Sequence, residues 1–62
     1  MERIIETHDF GPHRVVVVEH VGDEDRTYSI LVDDCTVTDP PLPAAPSFED
    51  LVRIYAHTVG SW

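Results

Sequence analysis

Lysine, asparagine and glutamine are all absent from this 62-residue chain, and apart from histidine its only basic residues are four arginines. A surface that binds nucleic acid needs clustered positive charge. The arginines are instead spread singly along the chain, at Arg3, Arg14, Arg26 and Arg53. We therefore expect no direct binding to nucleic acid.

Cysteine is scarce too, because Cys35 is the only one, and a disulfide within the chain is excluded. The four histidines and this cysteine lack the paired spacing of a zinc finger or zinc ribbon. A domain of about 60 residues buries only about 60% of the surface that its unfolded chain exposes. Without a disulfide or a structural metal, association with another chain is the expected source of added stability. We predict no cofactor.

Long apolar runs are missing as well. No stretch approaches the ~20 apolar residues that a membrane-spanning helix needs, and residues 1–6 lack the apolar centre of a secretory signal. A single free cysteine is typical of a reducing compartment. We therefore expect a cytoplasmic protein without a membrane partner, and we expect residues 1–62 to be one small domain and a complete gene product.

Acidic residues are abundant, and twelve of them give a net charge of −8. A genome of high GC content would favour such a composition, since it encodes Arg, Ala, Val and Asp in place of Lys and Asn. A salt-rich cytoplasm would also favour it, because high net charge keeps a protein soluble while salt screens the self-repulsion. The missing lysines favour a salt-adapted prokaryote. A third interpretation, an acidic mimic of nucleic acid, would need carboxylates arrayed along one face.

Three β-rich runs and one helical run predict an α+β fold. We expect strands at about 2–8, 14–21 and 26–33, where β-branched residues and period-two alternation dominate. The short turns between them require antiparallel pairing, so the strands form a three-stranded meander. Residues 39–46, the Pro-rich strap, contain four prolines, which are incompatible with a helix interior or a central strand.

A single C-terminal helix is predicted over about 47–59. Ser47 can cap its first turn, Asp50 can complete a capping box, and Gly60 is expected to end it. Apolar residues at spacings of three and four form one stripe that must dock on the sheet. They are Phe48, Leu51, Val52, Tyr55 and Val59, with Ile54 on the margin.

The pairing of strands predicts which side chains share a face of the sheet. We expect His8 to pair with His13 across the first turn and Val21 with Arg26 across the second. The first predicted face, which the helix would cover, carries Ile4, Val15, Val17, Val21, Tyr28, Ile30 and Val32. The second predicted face carries Ile5, Val16, Val18 and Leu31, with Thr27 and Ser29 around them.

The second predicted face is apolar although a sheet with one solvated face usually has polar residues there. One helix covers only one face, and a contiguous exposed apolar patch is typical of an interface. The favoured interpretation is an isologous homodimer through Ile5, Val16, Val18 and Leu31. The alternatives are that the Pro-rich strap and Trp62 cover this face, or that a different protein or a ligand does.

Two histidines and a carboxylate flank the first turn, and they are the one candidate metal site. Because the expected pairing places His8 opposite His13, these imidazoles and Asp9 could bind a divalent transition metal. A metal-binding or small-ligand-binding protein is therefore the alternative function. Cys35 follows two aspartates, which disfavour its thiolate, and no other motif points to catalysis. We predict a noncatalytic, homodimeric interaction or adaptor module.

Overall fold

The computed structural model describes residues 1–61 and has an α+β fold, as the sequence predicts. One antiparallel sheet contains four strands in the order β1-β2-β3-β4, and one helix follows it. The elements are β1 (Glu2–Phe10), β2 (His13–Val21), β3 (Arg26–Val32), β4 (Cys35–Thr36) and α1 (Phe48–Gly60). The sheet therefore has one strand more than the predicted meander.

The first turn is tighter than predicted. Phe10 pairs with His13, so only Gly11 and Pro12 connect β1 to β2. Gly11 has a φ of 61°, which glycine adopts without steric cost, and glycine at the first central position is typical of a type II′ turn. The predicted pairing of His8 with His13 is wrong, because this tight turn lets both strands extend to Phe10 and His13.

A bulge in β1 exchanges the faces of the residues before it. Ile4 pairs with Val18 and Glu6 pairs with Val17, so Ile5 is the additional residue on β1. Side chains alternate between the faces of a strand, and one extra residue reverses that alternation. Ile5 consequently packs against the core, while Ile4 shares the opposite face with Val18. Both placements are the reverse of the prediction.

The pairing of β2 with β3 is as predicted. Val21 pairs with Arg26 across the turn at residues 22–25, and Val16 pairs with Leu31. Within the turn, the backbone N–H of Gly22 donates to the carbonyl oxygen of Asp25 at 2.8 Å. The assignment of β2 and β3 side chains to faces therefore follows the period-two pattern of the sequence.

The short strand β4 is an addition that the apolar pattern does not indicate. Val32 pairs with Cys35, whose thiol is exposed, across the two-residue turn Asp33-Asp34. These aspartates have φ values of 51° and 66°. Two successive positive φ angles define a type I′ turn, and aspartate tolerates this region better than most residues do. The chain therefore reverses where the apolar alternation ends.

The Pro-rich strap runs along the outer edge of β3. Leu42 and Tyr28 form an isolated bridge with two backbone hydrogen bonds of 2.7 and 2.9 Å. Just before the strap, the backbone N–H of Val37 donates to the carbonyl oxygen of Ile30 at 2.9 Å. The side chains of Leu42 and Val37 pack against the core. The strap thereby occupies hydrogen-bonding groups that an edge strand would otherwise present to other chains.

The helix packs on one face of the sheet, which we call the core face. Five side chains are fully buried there. Four come from the core face and one comes from α1: Val15, Val17, Ile30, Val32 and Leu51. Ile54, predicted on the margin of the apolar stripe, packs against this cluster. Phe48 and Val52, predicted within the stripe, are 58% and 40% exposed. The helix is thus rotated toward Ile54 relative to the predicted docking face.

The predicted capping box is present at the start of α1. The backbone N–H of Asp50 donates to Ser47 Oγ at 3.2 Å, and the backbone N–H of Ser47 donates to Asp50 Oδ2 at 3.4 Å. These bonds satisfy donors that the first helical turn leaves without a partner. The helix includes Gly60, and its C-cap is Ser61, one residue later than predicted.

Candidate interaction surface

The face of the sheet opposite α1, which we call the open face, has an uncharged centre. Ile4 is 65% exposed there, while Val16, Val18 and Leu31 are half-buried. Hydroxyl side chains of β1, β3 and β4 flank these four apolar residues. The complete centre consists of Ile4, Thr7, Val16, Val18, Ser29, Leu31 and Thr36.

Charged side chains on the open face lie at its two ends. At the end near the first turn, Arg14 Nε is 3.1 Å from Asp9 Oδ1. At the other end, His20 Nδ1 is 3.2 Å from Glu2 Oε1, and His20 Nε2 is 2.8 Å from Ser29 Oγ. Each acidic group on this face is therefore already beside a basic side chain, and the apolar centre between the ends carries no charge.

No described residue outside the sheet covers the open face. The helix lies on the core face, and the strap lies beside β3 with Leu42 directed into the core. The predicted covering of this face by the Pro-rich strap is therefore wrong for the described part of the chain. Trp62, the other predicted cover, lies outside the described residues.

Three of the four predicted interface residues lie together on the open face. Val16, Val18 and Leu31 occupy neighbouring positions of β2 and β3. Ile5 does not belong with them, because the β1 bulge turns it toward the core. Ile4 takes its place beside Val18. The apolar patch is therefore retained with one residue exchanged.

The structure does not bring His8, Asp9 and His13 together as a metal site. Asp9 pairs with Arg14 on the open face, whereas its neighbour His8 points to the core face, with its Nε2 3.1 Å from Glu6 Oε1. Among the described residues, no group of three His, Cys, Asp or Glu side chains is placed to hold a metal ion. The predicted arrangement fails because it depended on the wrong register.

Both histidines instead belong to an aromatic cluster that joins the hairpin end to α1. The ring centroids of His8 and Phe48 are 5.4 Å apart, those of Phe10 and Tyr55 are 4.9 Å apart, and those of His13 and Tyr55 are 5.8 Å apart. Tyr55 Oη also donates to the carbonyl oxygen of Phe10 at 3.3 Å. These contacts hold the helix against the sheet, which is a structural role.

A short hydrogen bond links the first and third turns. His13 Nδ1 is 2.5 Å from Asp33 Oδ2, and the backbone N–H of Arg14 donates to Asp33 Oδ1 at 3.0 Å. The bond with His13, followed by the bond from Arg14, lowers the pKa of the Asp33 carboxyl below its ordinary value. Asp33 is therefore held as a carboxylate that bridges β2 to the β3–β4 turn.

A buried carboxylate on the core face was not predicted. Glu19 is only 4% exposed; its Oε1 accepts from Arg3 Nε at 2.8 Å, and its Oε2 accepts from Tyr28 Oη at 3.2 Å. Arg26 Nη1 lies 3.9 Å from the same Oε2. The alternation of side chains along β2 could have predicted this position, because it places Glu19 on the same inward face as Val15 and Val17. A charged residue at an inward position requires a partner.

Comparisons with known proteins found no matching family model, no significant match among curated proteins and none among solved structures. Within residues 1–61, no helix is both long enough and apolar enough to cross a membrane.

Proposed function

We propose that this chain is a noncatalytic protein-interaction module that acts as a homodimer through the open face. The observation that carries this proposal is the uncharged centre of a sheet face that no described element covers. Charged residues make up 26% of the chain, yet none of the seven central positions is charged. Depletion of charge at the centre with polar groups at the rim is typical of protein–protein interfaces.

The size of the open face suits a second copy of the chain. The face consists of three long strands and the neighbouring edge of the strap, which are spaced about 4.8 Å apart and are about 25 Å long. Its projected area is therefore on the order of 500 Å². Two such faces bury about 1,000 Å², which is the lower limit for a biological interface. A domain this small also gains stability from a partner that removes apolar surface from water.

The distribution of charge supports association of identical chains. Only two of the twelve acidic residues, Glu2 and Asp9, occupy strand positions of the open face, and each lies beside a basic side chain. The chain as a whole still has a net charge of −8, because most of its acidic groups lie elsewhere, chiefly in the turns and in α1. Their mutual repulsion opposes association at low ionic strength, and salt screens it. We accordingly propose that the protein is adapted to high salt, where the dimer is strongest.

The experiment compares two Val→Glu variants by sedimentation velocity in 2 M KCl. Val18→Glu places a carboxylate at the centre of the open face, where the dimer would bury it without a partner. Val52→Glu makes the same change on the exposed side of α1 and is the matched control. We expect Val18→Glu to be a folded monomer by circular dichroism, whereas Val52→Glu and the wild type are dimers. Equal dimerisation of both variants would exclude the open face as the interface.

A further inference from the structure

A second surface feature lies on the other side of the molecule, between α1 and the segment that leads into the Pro-rich strap. It is a cavity of about 350 Å³, within the size range of sites for small ligands. Two of its lining residues come from the segment before the strap and four from consecutive turns of α1. They are Val37, Thr38, Arg53, Ile54, His57 and Thr58.

The lining combines an apolar floor with a basic rim. Val37 and Ile54 are half-buried and pack against the core cluster, so their positions are fixed by the fold. Arg53 and His57 are four residues apart on α1 and therefore lie on the same side of the helix, one turn from each other. A ligand in this cavity would meet hydrocarbon at one end and cationic or N–H donor groups at the other.

The electrostatic character of the cavity is opposite to that of the chain. None of the described residues that line it is acidic, although the chain has three times as many acidic residues as arginines. The remaining arginines bind carboxylates of the sheet, since Arg3 and Arg26 lie beside Glu19 and Arg14 lies beside Asp9.

Arg53 differs from those arginines because its carboxylate neighbour has another role. Arg53 Nη1 is 3.5 Å from Asp50 Oδ1, and the other oxygen of Asp50 accepts the N-cap hydrogen bond from Ser47. The Arg53 side chain is 71% exposed, so this surface pair contributes little and leaves most guanidinium donors accessible. Those donors can bind a carboxylate with two parallel hydrogen bonds.

We propose that this cavity binds a small amphipathic monocarboxylate, which carries an apolar ring or short chain. The apolar part lies against Val37 and Ile54, the carboxylate binds the Arg53 guanidinium, and His57 donates a further hydrogen bond. The site is independent of the open face, because its residues belong to α1 and to the segment outside the sheet.

The test uses benzoate as the probe and benzamide as its neutral analogue of nearly equal shape, in titrations of the full chain followed by two-dimensional NMR at constant ionic strength. We expect benzoate to shift the resonances of Val37, Ile54 and Thr58 with a Kd on the order of 1–10 mM, as the size of the probe suggests. Benzamide should bind at least 5-fold more weakly.

Two variants separate the ion pair from general charge effects. Arg53→Gln should weaken benzoate binding at least 5-fold and leave benzamide binding unchanged. Arg26→Gln, which removes the same charge at a residue that does not line the cavity, should leave benzoate binding as in the wild type. Absence of these shifts at 50 mM benzoate would overturn the proposal, and so would equal affinities of benzoate and benzamide or equal effects of the two variants.

Discussion

Asp33 shows how one side chain can connect two turns that are far apart in the sequence. Its two carboxylate oxygens bind His13 and the backbone of Arg14, and its own φ of 51° places it in the left-handed region. The lowered pKa of this carboxyl means that folding favours its ionised form over its protonated form. By linkage, the ionised carboxyl stabilises the fold above its unfolded pKa, and this contribution is lost as pH falls through the lower folded value.

We therefore predict that the effect of Asp33→Asn depends on pH. Asparagine tolerates positive φ, so the variant loses the charge without a new conformational strain. Its melting temperature should lie below that of the wild type at pH 6, and the difference should shrink as the pH falls below the ordinary value of 3.8. Melting curves by circular dichroism between pH 2.5 and pH 6 measure this.

The neighbouring substitution Asp34→Asn is the control, because it changes a similar residue of the same turn, with a φ of 66°, and leaves the Asp33 contacts intact. It should retain the pH dependence of the wild type. A difference between wild type and Asp33→Asn that stays constant across the pH range would show that the charge of Asp33 does not contribute.

Three strands of the sheet meet at Glu19. Its carboxylate lies on β2, Arg3 binds it from β1, and Tyr28 binds it from β3. Because the carboxylate is buried, these charge-assisted bonds act where water competes little. The cluster therefore holds one end of the sheet together, whereas the aromatic cluster around Tyr55 attaches the helix at the other end.

Replacement of Glu19 by glutamine should lower the free energy of unfolding by about 2 kcal/mol, the range expected for loss of hydrogen bonds to a buried charged group. Glutamine has nearly the same volume, so the loss reflects charge and bonding rather than packing. Urea unfolding at one fixed protein concentration measures the change. Glu24→Gln, in the exposed turn at residues 22–25, should change stability by less than about 0.5 kcal/mol. Equal effects of the two variants would contradict the role of Glu19.

The elements that the sequence predicts well are those whose local pattern is regular. Alternation in β3 and the tight turn after Val21 predict the β2–β3 register, and Ser47 with Asp50 predicts the start of α1. The β1–β2 register could not be predicted, because the bulge at Ile5 leaves no local signature and the Gly11-Pro12 turn admits more than one loop length. The same bulge decides that Ile4, and not Ile5, joins the open face.

At the scale of the whole molecule, the described residues cover the sheet on one side only. The core face has α1, and the edge of β3 has the strap, but the open face has no cover among the described residues. The sequence predicts this imbalance from its strand pattern, since two apolar faces of the sheet and a single helix do not match. It does not predict where the strap runs, because that path is decided by the Tyr28–Leu42 bridge and by the packing of Leu42.

The measurement that tests the homodimer most directly is the mass of the wild-type chain in solution. Light scattering at micromolar concentration should give twice the 7.0 kDa of one chain in 2 M KCl, where screening removes most of the repulsion between acidic chains. In 0.1 M KCl, dilution should lower the average mass because that repulsion returns. A mass of 7.0 kDa at both salt concentrations would contradict the proposal that a second copy covers the open face.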